Sequence, residues 1–320
     1  MLVLNNEDIS ALLSLEEILT AVEEAMLANE NKACIAPQRM HLDFGANTFL
    51  AMPSFSESHY GTKLVSVVPG NAAKQLPVTN GLMLLNDIET GLPLALMNAA
   101  KLTALRTGAV GAMGLKYMTD RNTNAIGLIG CGVQGIHQAI FACAVRPIKK
   151  IICLFRSAES FEKLKSAVSG YFPHVSVQAC SNTEELLQQT NVIIAATTSA
   201  TPVLPNDKKL LEGKHFISIG SYKPTMQELP DAVYELAGCL AIDSEGARHE
   251  VGDIVLPLQK GILNPEDVFT IGQLINGKRK IDISKTTVYK SAGMALFDLF
   301  VAQAMYESAK EKNCGKEIII

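Results

Sequence analysis

The stretch Ala125-Ile126-Gly127-Leu128-Ile129-Gly130-Cys131-Gly132-Val133-Gln134-Gly135 decides how this chain is read. An apolar run leads into three glycines spaced G-x-G-x-x-G. Ile136-His137-Gln138-Ala139-Ile140-Phe141-Ala142 then continues with helix-like composition. The glycine spacing alone is common. Placed between a strand and a helix start, it marks a βαβ unit that binds a dinucleotide. The reason is steric. Gly130 permits the tight turn, Gly132 lets backbone approach a pyrophosphate, and Gly135 lets helix pack closely on strand. The helix start then offers unpaired N–H groups and a positive dipole end to the phosphates, so Val133 and Gln134 join the three glycines as candidate cofactor contacts. The alternative is a glycine turn in an α/β domain that binds nothing.

Outward from this turn the pattern alternates strand with helix. Runs at Ala125–Ile129, Ile151–Phe155, Val175–Cys180, Val192–Thr197, His215–Gly220 and Cys239–Ile242 are spaced as in a doubly wound parallel sheet. Ser181 and Glu184 fit a capping box for a helix over Glu184–Gln189. The stretch Val288–Ala309 reads as one or two helices. Upstream, Ser14 and Glu17 cap an amphipathic helix carrying Ile18, Leu19, Val22 and Met26. Short β-like runs punctuated by Pro53, Pro69-Gly70 and Glu89-Thr90-Gly91 follow as far as Leu96, and Leu102–Met118 looks helical. The fold class expected is therefore α/β: a Rossmann-type doubly wound parallel sheet over residues 119–298, plus a smaller mixed α+β domain. That smaller domain covers residues 1–118 and is completed by a returning C-terminal helix, 299–320. The length of 320 residues fits two domains.

Composition narrows the function classes. Hydrophobic residues make up 48% and charged residues 19%, as in an ordinary globular protein. A net charge of −4 offers no basic stripe for nucleic acid. No apolar run reaches the length of a membrane span, and the polar, acidic Asn5, Glu7 and Asp8 do not resemble a signal peptide. A cytoplasmic location is expected, with the seven cysteines as reduced thiols, Cys131, Cys143 and Cys153 among them in or near the core. Their spacing is not that of a metal site, so no metal is expected.

Where NAD-specific folds carry an acid at the end of the second strand, this chain has Arg156-Ser157. A guanidinium grips a 2′-phosphate, so NADPH is expected to be preferred over NADH. The competing reading is a solvated arginine and an enzyme indifferent to the choice. Thr197 and Thr198, in Ala195-Ala196-Thr197-Thr198-Ser199, end a strand at the carboxyl edge, where ligands bind in this fold. Arg106 is a single charge in the small, apolar segment Ala104–Ala112, which calls for a partner or a ligand. Arg39 and Lys63 read equally well as surface charges.

Several segments together carry a resemblance. They are Ala36-Pro37-Gln38-Arg39, Gly61-Thr62-Lys63-Leu64-Val65, Arg106-Thr107-Gly108-Ala109-Val110-Gly111-Ala112, Gly130–Gly135 and Lys290-Ser291-Ala292-Gly293-Met294-Ala295. In content and order they resemble the ornithine cyclodeaminase/μ-crystallin family across essentially the whole chain. The resemblance implies a nicotinamide cofactor and hydride transfer at a carbon bearing a carboxylate, on an α-amino or α-imino acid. It implies that Arg39, Lys63 and Arg106 hold the substrate carboxylate, and that Ser291 lies in a stretch near the nicotinamide. It also implies a homodimer formed through the first domain. Cyclodeaminating relatives carry an aspartate where this chain has Tyr222, in Gly220-Ser221-Tyr222-Lys223-Pro224. A phenol near neutral pH donates a hydrogen bond and is poorly matched to act as a base. Asp231, Asp243 and Asp253 remain as other acids nearby in the sequence. The expectation is an NAD(P)H-dependent reductase of a cyclic α-imino acid, with Δ1-pyrroline-2-carboxylate to L-proline as the foremost reaction and Tyr222 in the active site. The alternatives are an ornithine cyclodeaminase, an alanine-type dehydrogenase, and a non-catalytic, crystallin-like binding protein.

Overall fold

The computed structural model describes residues 1–319, and two compact units emerge from it. One contains residues 1–106 and the chain from Met294 onward; the other runs from Thr107 to Gly293. These bounds differ from the expected 118/119 and 298/299. The first division falls inside the helix Ala99–Met118, just after Arg106. No loop marks it, because helical periodicity runs unbroken through it.

The first unit is built on one sheet. Its strands are β1 (Leu2–Leu4), β2 (Met40–Phe44), β3 (Asn47–Phe55), β4 (His59–Val67), β5 (Thr79–Asp87) and β6 (Pro93–Asn98). Strands β2 to β6 form an antiparallel meander; β1 lies parallel to β6, and Lys316–Glu317 pairs with its outer edge. Period-two alternation divides the faces. The inner face buries Met52, Val65, Met83, Leu85 and Met97, covered by the helix Ala295–Lys312, against which the helix Leu15–Glu30 packs. The Ser14/Glu17 capping box is present at the start of the first of these helices. On the outer face Met40, Leu42, Phe44, Phe49, Leu64 and Leu82 are exposed, Phe44 at 88%.

The second unit contains β7 (Ala125–Ile129), β8 (Lys150–Leu154), β9 (Ser176–Ala179), β10 (Val192–Ala195), β11 (His215–Ser218), β12 (Ala237–Ile242), β13 (Val268–Thr270) and β14 (Thr286–Lys290). All pair in parallel, in the order β13-β12-β14-β11-β10-β7-β8-β9. The chain moves outward from β7 to β9, then crosses to the other side of β7 as β10. That places the topological switch point between β7 and β10. Within this unit Gly108, Gly111 and Gly114 form one closely packed stripe of their helix. A Cβ at Gly108 would come 2.8 Å from His137 O, and Gln138 Nε2 donates to Thr107 O at 2.8 Å in the same contact.

Three expectations are corrected. Residues 288–290 are strand, and the helix begins only at Ala295. Strand β14 is buried on both faces and therefore shows no alternation. Ser291, inside the stretch expected to be helical, lies in the loop between the two. The cap expected at Ser181/Glu184 sits one residue later: Asn182 Oδ1 accepts from Glu185 N–H at 2.8 Å, and the helix covers Thr183–Gln189. All seven cysteines are free; Cys131 and Cys153 are buried and Cys143 is half-buried. Among the described residues no helix is long and apolar enough to cross a membrane.

Candidate active site

In the second unit the glycine turn has the form a dinucleotide needs. Gly130 has φ +99°, a left-handed conformation that favours glycine, and a Cβ there would meet Ala196 O at 2.5 Å. A Cβ on Gly135 would collide with Gly130 O, so helix and strand touch through backbone. Beside Gly132 there is open space. The helix Val133–Val145 begins at Gly132 with no side-chain cap, leaving its first N–H groups for a ligand. Gln134 Oε1 is buried and unpartnered, and Val133 is exposed. The residues present therefore fit a dinucleotide pyrophosphate.

At the end of β8, Arg156 is exposed. Ser157 caps the helix Ala158–Tyr171, its Oγ accepting from Ser160 N–H at 3.3 Å, which leaves the hydroxyl hydrogen to donate elsewhere. Across the switch point, Thr197 is half-buried and Thr198 exposed. The Thr197 hydroxyl donates to Glu228 Oε1 at 2.8 Å, so its hydrogen is already committed within the protein. Ser291 Oγ and Gly293 N–H both donate to Asp243 Oδ2 at 2.7 Å. Tyr222 is half-buried in the loop after β11, with Lys223 Nζ 5.8 Å from its ring centre. Of the acids near it in sequence, Asp231 is tied to Lys260 at 2.7 Å and Asp253 is buried in a hydrogen-bond network.

The first unit holds the cationic cluster. Lys63 lies on the inner face in one cross-strand row with Met52, Met83 and Met97, so its four-carbon stem is packed among thioethers. It is 2% exposed. Its Nζ donates to Asp298 Oδ2 at 2.7 Å and sits 3.4 Å from Thr103 Oγ1. Arg106, 6% exposed, donates through Nε to Asp298 Oδ1 at 3.1 Å. Asp298, on the helix Ala295–Lys312, is fully buried. Two cations thus share one carboxylate, and the buried triad is net positive. Burial pushes the Lys63 ammonium down, Asp298 pulls it back up, and Arg106 and Arg39 push it down further, which together leave it at about 8. Arg39, half-buried on its loop, therefore acts on the same charge. An anionic substrate group brought to this cluster neutralises the excess charge, and a bidentate guanidinium fixes its plane. Among the described residues no group of His, Cys, Asp and Glu is placed to hold a metal ion.

Sequence reasoning missed Asp298. The signal was available: a lone acid in Ala295-Leu296-Phe297-Asp298-Leu299-Phe300-Val301 is the same anomaly that singled out Arg106. It also missed Glu228, whose partners are mostly loop backbone.

Comparison with known proteins places nearly the whole chain in a family. The model of the ornithine cyclodeaminase/mu-crystallin family matches residues 1–313. A Δ1-pyrroline-2-carboxylate reductase of Bacillus cereus is 33% identical, with 99% of both chains covered. The solved structure of Thermococcus litoralis Δ1-pyrroline-2-carboxylate reductase in complex with NADH and L-proline superposes with a TM-score of 0.93 at 30% identity, covering 99% of this chain and 100% of that one. An archaeal alanine dehydrogenase dimer with bound NAD superposes at 0.92 with 32% identity, covering 100% and 99%. Matched by the family model over nearly its whole length and by relatives at this identity from end to end, the chain belongs to the ornithine cyclodeaminase/mu-crystallin family.

Proposed function

We propose that this protein is an NAD(P)H-dependent oxidoreductase acting on a C=N bond, reducing Δ1-pyrroline-2-carboxylate to L-proline. The observation that carries the reading is the buried Lys63–Asp298–Arg106 triad, a net positive cluster suited to one small carboxylate. The likeness to pyrroline-2-carboxylate reductases from end to end supports it. Gly130, Gly132, Val133, Gln134 and Gly135 hold the pyrophosphate. The dinucleotide, when bound, supplies the hydride that becomes the C2–H of the product. Arg106 and Arg39 orient the substrate carboxylate. Lys63, with its ammonium brought down to about 8, is mostly protonated at neutral pH and close enough to its titration point to lend a proton to the imine nitrogen. Asp298 holds Lys63 and Arg106 in register. Tyr222 donates a hydrogen bond and leaves the chain without the aspartate a deaminating relative uses. Thr197, Thr198 and Ser291 border the cofactor, Thr197 and Ser291 through positions fixed by Glu228 and Asp243.

NADPH is preferred through Arg156, exposed where NAD-specific folds place an acid, and Ser157. The protein forms a homodimer. Its exposed sheet face, carrying Met40, Leu42, Phe44, Phe49, Leu64 and Leu82, supplies the apolar patch for a second copy, and the archaeal relative is a dimer.

The test is direct. Purified protein should oxidise NAD(P)H rapidly with Δ1-pyrroline-2-carboxylate and release negligible ammonia from L-ornithine with NAD. Stoichiometric ammonia and proline from ornithine would replace the reductase reading with a cyclodeaminase. The likeness to an archaeal alanine dehydrogenase favours a second reading. It predicts NADH oxidation with pyruvate and ammonia at a rate matching the pyrroline substrate.

A further inference from the structure

Glu228 has no exposed surface, yet its carboxylate is ringed by donors from two loops. Oε1 accepts from Thr197 N–H at 2.7 Å and from Thr197 Oγ1 at 2.8 Å. Oε2 accepts from Gly220 N–H at 2.6 Å and Ser221 N–H at 3.2 Å, and lies 2.9 Å from Ser218 Oγ. Thr197 follows β10 and Gly220 follows β11. One buried carboxylate therefore joins the carboxyl ends of two neighbouring parallel strands. The loops are drawn together so closely that a Cβ on Gly220 would meet Thr197 N at 2.6 Å and Glu228 Oε1 at 2.5 Å.

Asp253 braces Glu228 from behind. Its Oδ1 accepts from Glu228 N–H at 3.0 Å, Leu229 N–H at 3.1 Å and Tyr234 OH at 2.8 Å. Its Oδ2 takes Ser221 Oγ at 2.6 Å, with Lys290 Nζ 3.6 Å away. Two buried carboxylates with one buried ammonium nearby cost desolvation energy that a purely structural clamp does not require, since packed apolar groups of similar size often do as well.

The position of the clamp gives its use. In a doubly wound sheet, β7, β8 and β9 serve one mononucleotide half, and the strands beyond the switch point serve the other. Arg156 lies at the end of β8, in the adenosine half. Thr197 and Gly220–Ser221 belong to the second half, and the Thr197 methyl lies at the switch point, 3.2 Å from where a Cβ on Gly130 would sit. We propose that Glu228 is a positioning residue for the reduction, holding the β10 and β11 loops in the arrangement that receives the nicotinamide half of the dinucleotide. This rests on the dinucleotide reading of the glycine turn.

Glu228→Gln tests it with little change of shape. An amide keeps one acceptor oxygen, so one of the two loops loses its anchor. NADH and ADP-ribose binding are measured by titration calorimetry. ADP-ribose lacks the nicotinamide ring and reports on the adenosine half. In the variant, NADH should bind about tenfold or more weakly while ADP-ribose stays within about twofold, the loss falling on one half of the site. Turnover number should fall about tenfold with the imino-acid KM within about threefold. Thr197→Val, which removes one donor to Oε1, should show the same selective loss on a smaller scale, and decides the matter if Glu228→Gln does not fold. NADH and ADP-ribose weakened alike, or NADH binding unchanged in either folded variant, would overturn the proposal. Failure of the wild-type protein to bind either ligand would overturn the dinucleotide reading, and the proposal with it.

Discussion

Replacing Asp298 with asparagine should change the acidity of Lys63 before it changes anything else. The carboxylate is the strongest influence holding the Lys63 ammonium up against burial, with Arg106 and Arg39 both pushing it down. An opposite charge within hydrogen-bond reach is worth about 1–3 pK units. Without it, Lys63 should fall from about 8 to about 5–7. At about 1.4 kcal/mol per unit, that is about 1.4–4 kcal/mol of lost preference for the charged form. Lys63 then loses its proton as pH rises through this lower value, so the alkaline limb of kcat/KM should move down by the same amount. Neutral-pH activity should fall while some activity survives in mild acid. Breaking a buried pair costs about 3–5 kcal/mol of folding stability, which an ordinary domain can sustain. The assay is kcat/KM for Δ1-pyrroline-2-carboxylate from about pH 5 to about pH 10, with urea unfolding at each end to confirm the fold. A folded Asp298→Asn protein whose alkaline limb stays in place would refute the charge argument. An unchanged neutral rate would remove Lys63's charge from the mechanism altogether.

Arg106→Met should lose about 2–5 kcal/mol of transition-state binding, read from kcat/KM, while NADH binding is retained; near-normal turnover in the folded variant takes Arg106 out of the site. Arg156→Ala should raise the KM for NADPH about tenfold and leave that for NADH within about twofold, because a hydrogen bond to a charged group is worth about 1.5–3 kcal/mol. Equal effects on both cofactors would mean that Arg156 does not read the 2′-phosphate. Leu42→Asp places a charge on the exposed sheet face at a position where the single chain already meets water. It should convert the dimer to monomer in sedimentation velocity without lowering the urea midpoint, and a persistent dimer would put the interface elsewhere.

The glycine turn was legible because each of its three glycines answers a local steric demand. Strand β7 starts and ends where the apolar run does, at Ala125 and Ile129. Arg106 was legible for the opposite reason, as a charge its surroundings do not suit. Asp298 broke the same rule, but inside a long helix whose other acids, Glu307 and Glu311, face water. Strand β14 escaped notice because burial on both faces removes the alternation that announces a strand, and its Thr286-Thr287-Val288-Tyr289 runs on toward apolar helix. Glu228 could not be found from sequence. Its function depends on which backbone N–H groups two loops present to it, and loop register has no signature in residue order.

The helix Ala295–Lys312 covers the inner face of a sheet whose strands β1 to β6 end by residue 98, so nearly two hundred residues of other structure separate the cover from what it covers. During synthesis the first unit emerges as a meander with Met83, Leu85 and Met97 bare and Lys63 lacking its carboxylate. It can close only after the second unit has left the ribosome. Contacts over so long a sequence separation slow the search for the native arrangement. A nascent sheet held open in this way is a natural client for chaperones that shield apolar surface. Emergence of the helix that carries Asp298, and not growth of the chain's beginning, sets when the cationic cluster becomes competent.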